Sequence, residues 1–243
     1  MNEAVRSGTG TLYLLPVALG ETPWNSFLPQ QVQAIAAGLE HFVVETARSA
    51  RAHLKLLDYP RPLRETDIRE LPPQPATDDL LDALLAPALA GEDIGLMSDA
   101  GCPAVADPGA RLVARAHCLG IRVTPLVGPS SILLGLMGSG MNGQGFAFHG
   151  YLPVAEGERN ERLRSLESES RALDRTQIFI ETPYRNERLL EALLQVCRPA
   201  TRLCIASELS TPGEFLLTRS LGEWKRKPPP SLARRPTLFL MHA

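Results

Sequence analysis

The chain has 243 residues, a length that accommodates one large α/β domain or two modest ones. Its hydrophobic content of 44% and charged content of 21% are typical of globular proteins, and the net charge of −2 excludes a global attraction to nucleic acid or anionic membranes. Four scattered cysteines, without a C-x-x-C pair, exclude a cysteine zinc site and a disulfide framework.

The sequence shows no targeting or membrane signal. Its first ten residues, MNEAVRSGTG, lack the apolar run of a signal peptide, and no stretch approaches the roughly 18 apolar residues of a membrane span. We therefore expect a cytoplasmic protein with reduced thiols and no membrane association.

Strand and helix patterns alternate in the first half of the chain, which predicts a mostly parallel sheet. Five prolines between residues 60 and 75 predict an irregular segment with an edge strand near 67–71. Asp78 or Asp79 is expected to cap the helix that follows. The other predicted strands are 11–16, 41–45, 93–98 and 121–126, and the predicted helices are 29–39, 48–57, 80–89 and 110–119.

The segment VGPSS at 127–131 predicts the crossing into a second α/β domain, so that the domains cover residues 1–127 and 128–243. We expect a mixed sheet in the second domain and an irregular loop in the basic, proline-rich stretch 225–236. The predicted helices are 131–137, 158–174 and 186–197, and the predicted strands are 147–150, 177–181, 202–208, 214–220 and 237–242.

The loop SDAGCPAVADPG at 98–109 is the most informative stretch. It follows a buried strand, and ligands in open α/β sheets bind beyond the carboxyl ends of the strands. A carboxylate there accepts hydrogen bonds from an ammonium or a ribose hydroxyl, and we predict this role for Asp99. Asp107 precedes Pro108, and we predict that it caps the next helix.

Four further polar turns close predicted strands. Their shared position predicts one cleft supplied by both halves of the chain. The turns are TPLVGPSS at 124–131, with Ser130 or Ser131 as N-cap; IETPYR at 180–185, with Glu181, Tyr184 and Arg185; ETARSAR at 45–51, with Glu45 and Arg48; and SELSTPGE at 207–214, with Glu208.

In order and spacing, these turns resemble the ribosomal RNA small-subunit ribose 2′-O-methyltransferase I family of the tetrapyrrole methylase superfamily. The family pattern includes S-D-A-G-x-P-x-x-x-D-P-G, V-P-L-P-G-P-[SC]-[SA], G-F-L-P, Y-E-[ST]-P-H-R and R-E-L-T-K. The corresponding segments are SDAGCPAVADPG, TPLVGPSS, HGYLP at 149–153, IETPYR and SELST at 207–211.

The resemblance implies two α/β domains, a cleft between them that holds S-adenosylmethionine, and a homodimer. It also implies cofactor-binding positions in both halves of the chain. These are Pro16, Asp99, Gly101, Val105, Ser130, Ser131, Leu209 and Thr237.

The sequence departs from the family pattern at several turns. The family's E-D-T-R is ETAR at 45–48, which removes the aspartate, and P-H-R is PYR at 183–185. R-E-L-T-K has become SELST, which removes both cations, and the family's small C-terminal extension has no counterpart in this sequence.

The resemblance implies methylation of an RNA ribose 2′-hydroxyl, which requires removal of a proton and stabilisation of the forming alkoxide. We assign the base to Glu45 or Glu208 and the stabilising cation to Arg48 or Arg185. Local basic residues, including Arg48 and the stretch 225–236, would contact RNA phosphates.

Other functions remain open. One is methylation of a tetrapyrrole or another small metabolite; a second is S-adenosylmethionine binding without catalysis, suggested by the lost cations of R-E-L-T-K. A carboxylate Mg²⁺ site built from Glu45, Asp99 and Asp107 is disfavoured, and we expect no metal.

Overall fold

The computed structural model describes residues 8–243, so the prediction for the first ten residues falls largely outside the described part. The chain divides into two compact units, the first ending at Ser130 and the second beginning at Ser131. The domain boundary predicted after residue 127 lies just before this division. Within residues 8–243, no helix combines the length and the apolar character needed to cross a membrane.

The first unit contains a five-stranded sheet in which every neighbouring pair is parallel, in the order β3-β2-β4-β1-β5. All four residues of the central strand β4 are buried, as its continuous apolar sequence IGLM requires. The edge strand β3 lies within the proline-rich stretch 60–75, as predicted. The strands are β1 (Thr11–Leu14), β2 (His41–Val44), β3 (Asp67–Glu70), β4 (Ile94–Met97) and β5 (Arg122–Pro125).

Helices cover both faces of this sheet. Buried residues of α3 and α4 pack with Leu12, Ile94 and Leu96 on one face. Those of α1 and α2 pack with Phe42 and Met97 on the other. The helices are α1 (Gln30–Gly38), α2 (Ala47–Leu56), α3 (Asp78–Leu89) and α4 (Ala110–Cys118).

The cap predicted for α3 is wrong. The N-cap is Thr77, without a side-chain cap bond, and Asp78 and Asp79 occupy the first turn. Both carboxylates there still lie near the positive end of the helix dipole.

The second unit contains a mixed five-stranded sheet in the order β6-β7-β10-β8-β9, in which only the pair β6–β7 is parallel. Its main core lies between this sheet and α6, α7 and α8, and includes Phe179, Phe239 and Trp224. The strands are β6 (Phe146–Tyr151), β7 (Thr176–Glu181), β8 (Arg202–Ser207), β9 (Phe215–Ser220) and β10 (Thr237–His242), and the helices are α5 (Ser131–Ser139), α6 (Glu156–Leu173), α7 (Asn186–Val196) and α8 (Leu221–Arg226).

Helix α8 was not predicted. Its six residues are too few to show helical periodicity, but its start carries a capping box in which Ser220 and Glu223 exchange hydrogen bonds. The S-x-x-E signature was therefore available in the sequence.

Candidate functional site

In the first unit, the turns that follow the parallel strands meet at the carboxyl edge of the sheet. The turn after β1 and the loop after β4 are joined by a backbone bridge between Val17 and Gly101. Val17 N–H donates to Gly101 O over 2.8 Å, and Gly101 N–H donates to Val17 O over 3.0 Å. The positive φ of 73° at Gly101 suits a glycine.

The turn after β5 closes on the same two segments. The thiol of Cys102 donates to Pro129 O over 3.3 Å. A Cβ built on Gly128 would lie 2.2 Å from Cβ of the buried Pro16. Three strand ends are therefore packed together, and the predicted cofactor positions Pro16 and Gly101 share this cluster.

The exposed Asp99 is held in place by the turn after β2. Its N–H donates to Glu45 Oε2 over 3.0 Å, and its Oδ1 accepts a hydrogen bond from Thr46 Oγ1 over 2.8 Å. These contacts fix the carboxylate and leave Oδ2 available to a ligand. The structure thus brings together two predicted residues, Glu45 and Asp99.

Asp107 does not cap α4, contrary to the prediction. The N-cap is Gly109, whose φ of 121° is readily accessible only to glycine, so the helix begins after it. Burial is the largest cause that raises the pKa of Asp107, and the charges of Glu45 and Asp99 act in the same direction. Against a lowering hydrogen bond with Ser98, the net pKa is about 6. Asp107 is therefore electrostatically coupled to the carboxylates of the site.

The loop 98–109 has a strained backbone. Ala104 and Ala106 have φ of 66° and 64°, and they flank Val105, whose side chain is exposed. Left-handed conformations of non-glycine residues cost on the order of 1 kcal/mol each and concentrate at functional sites. Loop 98–109 is therefore a candidate binding element on its backbone geometry as well as on its sequence.

Two other predicted residues of this unit make fewer contacts. Arg48 is exposed on α2 and has no carboxylate partner among residues 8–243. Ser130 is half-buried at the end of the turn after β5. Arg48 therefore keeps a guanidinium that is free to meet a substrate anion.

In the second unit, the start of β10 lies between the carboxyl ends of β7 and β8. Thr237 is paired with Glu181 on one side and with Ser207 on the other, and its hydroxyl donates to Ser207 Oγ over 3.1 Å. Ser131 begins α5 in the same unit. Leu209 is buried in the turn after β8.

Glu208 stands in a strained turn and has a cation partner. The φ of Glu208 is 50° and that of Ser210 is 65°, both in the left-handed region. The glycine at 213 leaves room for the Glu208 side chain, because a Cβ there would lie 2.6 Å from Glu208 Oε2. Arg235 Nη1 lies 3.2 Å from Glu208 Oε2. Arg235 therefore supplies a positive charge in a turn whose own sequence, SELST, contains none.

Arg185 is already engaged by an acid. Its Nη2 lies 2.6 Å from Oε1 of the buried Glu181, and its Nε also donates to Thr182 Oγ1 over 3.1 Å. The charge of Arg185 is thus compensated within the protein, in contrast to that of Arg48.

Two residues that contact predicted site residues were not themselves predicted: Thr46, which contacts Asp99, and Arg235, which contacts Glu208. Asp107 was predicted as a helix cap and is instead coupled electrostatically to Glu45 and Asp99. The Pro-Gly pair that follows Asp107 indicated the later helix start, because glycine is a frequent N-cap. Nothing in the sequence connects Arg235 to Glu208. Within the described chain, no group of three or more His, Cys, Asp or Glu side chains has a geometry that could hold a metal ion.

Comparisons with known proteins give matches along most of the chain. Residues 30–225 match the family model described as Tetrapyrrole (Corrin/Porphyrin) Methylases. A Mesorhizobium japonicum protein named Ribosomal RNA small subunit methyltransferase I is 40% identical over 138 residues, or 57% of this chain and 46% of that protein. A Xylella fastidiosa protein of the same name is 31% identical over 216 residues, or 89% of this chain and 74% of that protein.

The fold also has a counterpart among solved structures. The crystal structure of the methyltransferase CobJ aligns with a TM-score of 0.60 and 21% identity, covering 97% of this chain and 94% of that one. At this level of identity the likeness concerns the fold alone. The alignment to the Mesorhizobium relative spans less than half of that relative's length.

Proposed function

Because the chain belongs to the tetrapyrrole methylase family, a methyltransferase family, we propose that it uses S-adenosylmethionine to methylate a ribose 2′-hydroxyl of small-subunit ribosomal RNA. The loop 98–109 carries the proposal, because it presents a fixed carboxylate, Asp99, at the edge of the sheet where α/β proteins bind ligands. The names of the relatives support the RNA acceptor.

The chemistry of the first-unit site fits the cofactor. S-adenosylmethionine carries an ammonium and ribose hydroxyls, and Asp99 offers an exposed carboxylate oxygen to such donors. We propose that Pro16, Gly101 and Ser130 shape the backbone around it, with Val105 at the exposed end of the loop. In the second unit, Ser131, Leu209 and Thr237 remain the proposed cofactor positions.

The bound cofactor would supply a methyl group on a sulfonium, which is transferred by in-line displacement. Glu45 is the better-placed base in our proposal, because Glu208 is already paired with Arg235. Arg48 is the better-placed cation for the forming alkoxide, because Arg185 is compensated by Glu181. The role of the chain is to fix the acceptor oxygen and to accept its proton.

Arg235 weighs against the alternative of a non-catalytic cofactor-binding protein. That alternative rests on the two cations missing from SELST, and Arg235 places a cation beside Glu208 from another segment. We also propose a homodimer that acts in the cytoplasm, where its RNA acceptor would be found.

The proposal is tested by methyl transfer with competing acceptors. Purified protein is incubated with methyl-labelled S-adenosylmethionine and, separately, small ribosomal subunits, large ribosomal subunits or a tetrapyrrole. We expect label in small-subunit RNA, recovered as a 2′-O-methylated nucleoside, with strong loss of rate in Arg48→Ala and little change in the exposed control Arg171→Ala. Label in the tetrapyrrole alone would establish the alternative acceptor.

A further inference from the structure

Residues 225–236, KRKPPPSLARRP, form a strongly basic surface segment of the second unit, here called the basic strap. It contains five lysine or arginine residues and no acid. It begins in the last turn of α8 and leads into β10.

The backbone of the basic strap is fixed to the second unit. The buried Asn186 donates from Nδ2 to Leu232 O over 3.2 Å and to Arg235 O over 2.7 Å. Leu232 is only 1% exposed and belongs to the main core. The strap therefore presents its charges from a defined position, which reduces the entropy lost on binding a partner.

Most of these charges lack an acidic partner. Lys225, Lys227 and Arg234 are exposed, and within residues 8–243 none of them forms a salt bridge. A polyanion would compensate these unpaired charges with its phosphates and gain entropy by releasing its counterions.

An exposed aromatic side chain adjoins the strap. Tyr184 is 83% exposed, the highest fraction among the exposed large hydrophobic side chains of the described residues. The carbonyl of the preceding residue, Pro183, accepts a hydrogen bond from Arg234 N–H over 3.0 Å. The backbone thus brings Tyr184 next to the unpaired Arg234.

We propose that Tyr184 and the basic strap together bind single-stranded RNA. The tyrosine ring stacks on an unpaired base, while Arg234 and Lys227 contact neighbouring phosphates. A duplex keeps its bases stacked and offers none to the ring, so the exposed aromatic favours a single strand. The inference rests on the proposed function and adds the place at which the acceptor strand is held.

The test is fluorescence anisotropy of a labelled 12-nucleotide uridine oligomer with the full chain, across a series of salt concentrations. We expect Tyr184→Ala to weaken binding about tenfold, within the range known for loss of one stacked base, and Tyr184→Phe to bind like the wild type. Arg234→Ala should lower the slope of log K against log salt by about 0.7, the value for one single-strand phosphate contact. Arg171→Ala removes the same charge from an exposed position on α6 and should leave the slope of the wild type nearly unchanged.

Three results would overturn the inference: no oligomer binding by the wild type, unchanged binding in Tyr184→Ala, or equal losses in Arg234→Ala and Arg171→Ala. Calorimetric titration of the same variants with S-adenosylmethionine separates the two proposals. If the protein binds the cofactor but its RNA binding does not change in the strap variants, only the role of the basic strap is rejected. If the protein does not bind the cofactor, the proposed function is rejected.

Discussion

Thr46 Oγ1 donates a hydrogen bond to Asp99 Oδ1 over 2.8 Å and joins the turn after β2 to the loop after β4. The same hydroxyl oxygen accepts from Ser49 N–H as the N-cap of α2. In the family pattern E-D-T-R this position is an aspartate, which would place a second negative charge beside Asp99. In this chain a neutral donor orients the carboxylate.

Replacement of Thr46 tests whether that orientation supports cofactor binding. We expect Thr46→Val to weaken S-adenosylmethionine binding about fivefold, because loss of a hydrogen bond to a charged group on the surface costs about 1 kcal/mol. Calorimetry gives the affinity, and Thr46→Ser, which keeps the hydroxyl, should bind like the wild type. Equal affinity of the valine and serine variants would exclude this role.

Gly128 is required by its contact with Pro16. In Gly128→Ala the new Cβ would lie 2.2 Å from Cβ and 2.5 Å from Cγ of Pro16, a rigid ring, so the turn must shift. We expect destabilisation of about 1–3 kcal/mol, measured by urea unfolding. The matched variant Gly38→Ala places a methyl group where nothing lies within 4 Å, and it should not destabilise. Equal stability of the two variants would contradict the packing described.

Asp107 should make stability depend on pH. Its pKa is raised to about 6, chiefly by burial. The contribution of Asp107 to the free energy of unfolding is therefore fully present below the ordinary pKa of 3.8 and is lost as the pH rises through 6. Asp107→Asn lacks this titration. We therefore expect the stability of the variant relative to the wild type to rise by about 1 kcal/mol between pH 4 and pH 7, after allowance for solvent screening. If urea unfolding gives the same difference in free energy of unfolding between variant and wild type at every pH in this range, the pKa of Asp107 is not raised.

Arg235 should matter for catalysis as the cation beside Glu208. We expect Arg235→Ala to lower the methyl-transfer rate at saturating cofactor about tenfold, equivalent to about 1.4 kcal/mol, because the turn SELST then has no cation beside it. Arg235→Lys preserves the charge and should recover most of the rate. If alanine and lysine variants are equally slow, the contribution of Arg235 is not its charge.

Periodicity predicted the sheets well because most strands are short, rich in apolar residues and bounded by turn residues; the edge strand β3, with the sequence DIRE, is an exception. The predicted strand 93–98 is observed as Ile94–Met97, and the predicted helix 110–119 as Ala110–Cys118. The departures are local. The start of α4 depends on the φ of Gly109, and the six residues of α8 do not complete two helical turns.

The sequence could predict site residues only where a polar side chain directly follows a strand. Asp99 and Glu45 close neighbouring strands, so their proximity follows from parallel pairing of β2 with β4. The pair formed by Glu208 and Arg235 joins residues from separate segments, and no local pattern encodes it. The raised pKa of Asp107 likewise depends on burial and on charges brought in by folding.

The most direct test of the account is calorimetric titration of the purified chain with S-adenosylmethionine. We predict saturable binding that Asp99→Ala reduces at least tenfold, with the fold of the variant intact by circular dichroism. The exposed control Asp79→Ala, in the first turn of α3, should bind like the wild type. Absence of binding to the wild type, or equal affinity of wild type and Asp99→Ala, would contradict the assignment of the cofactor to the loop after β4.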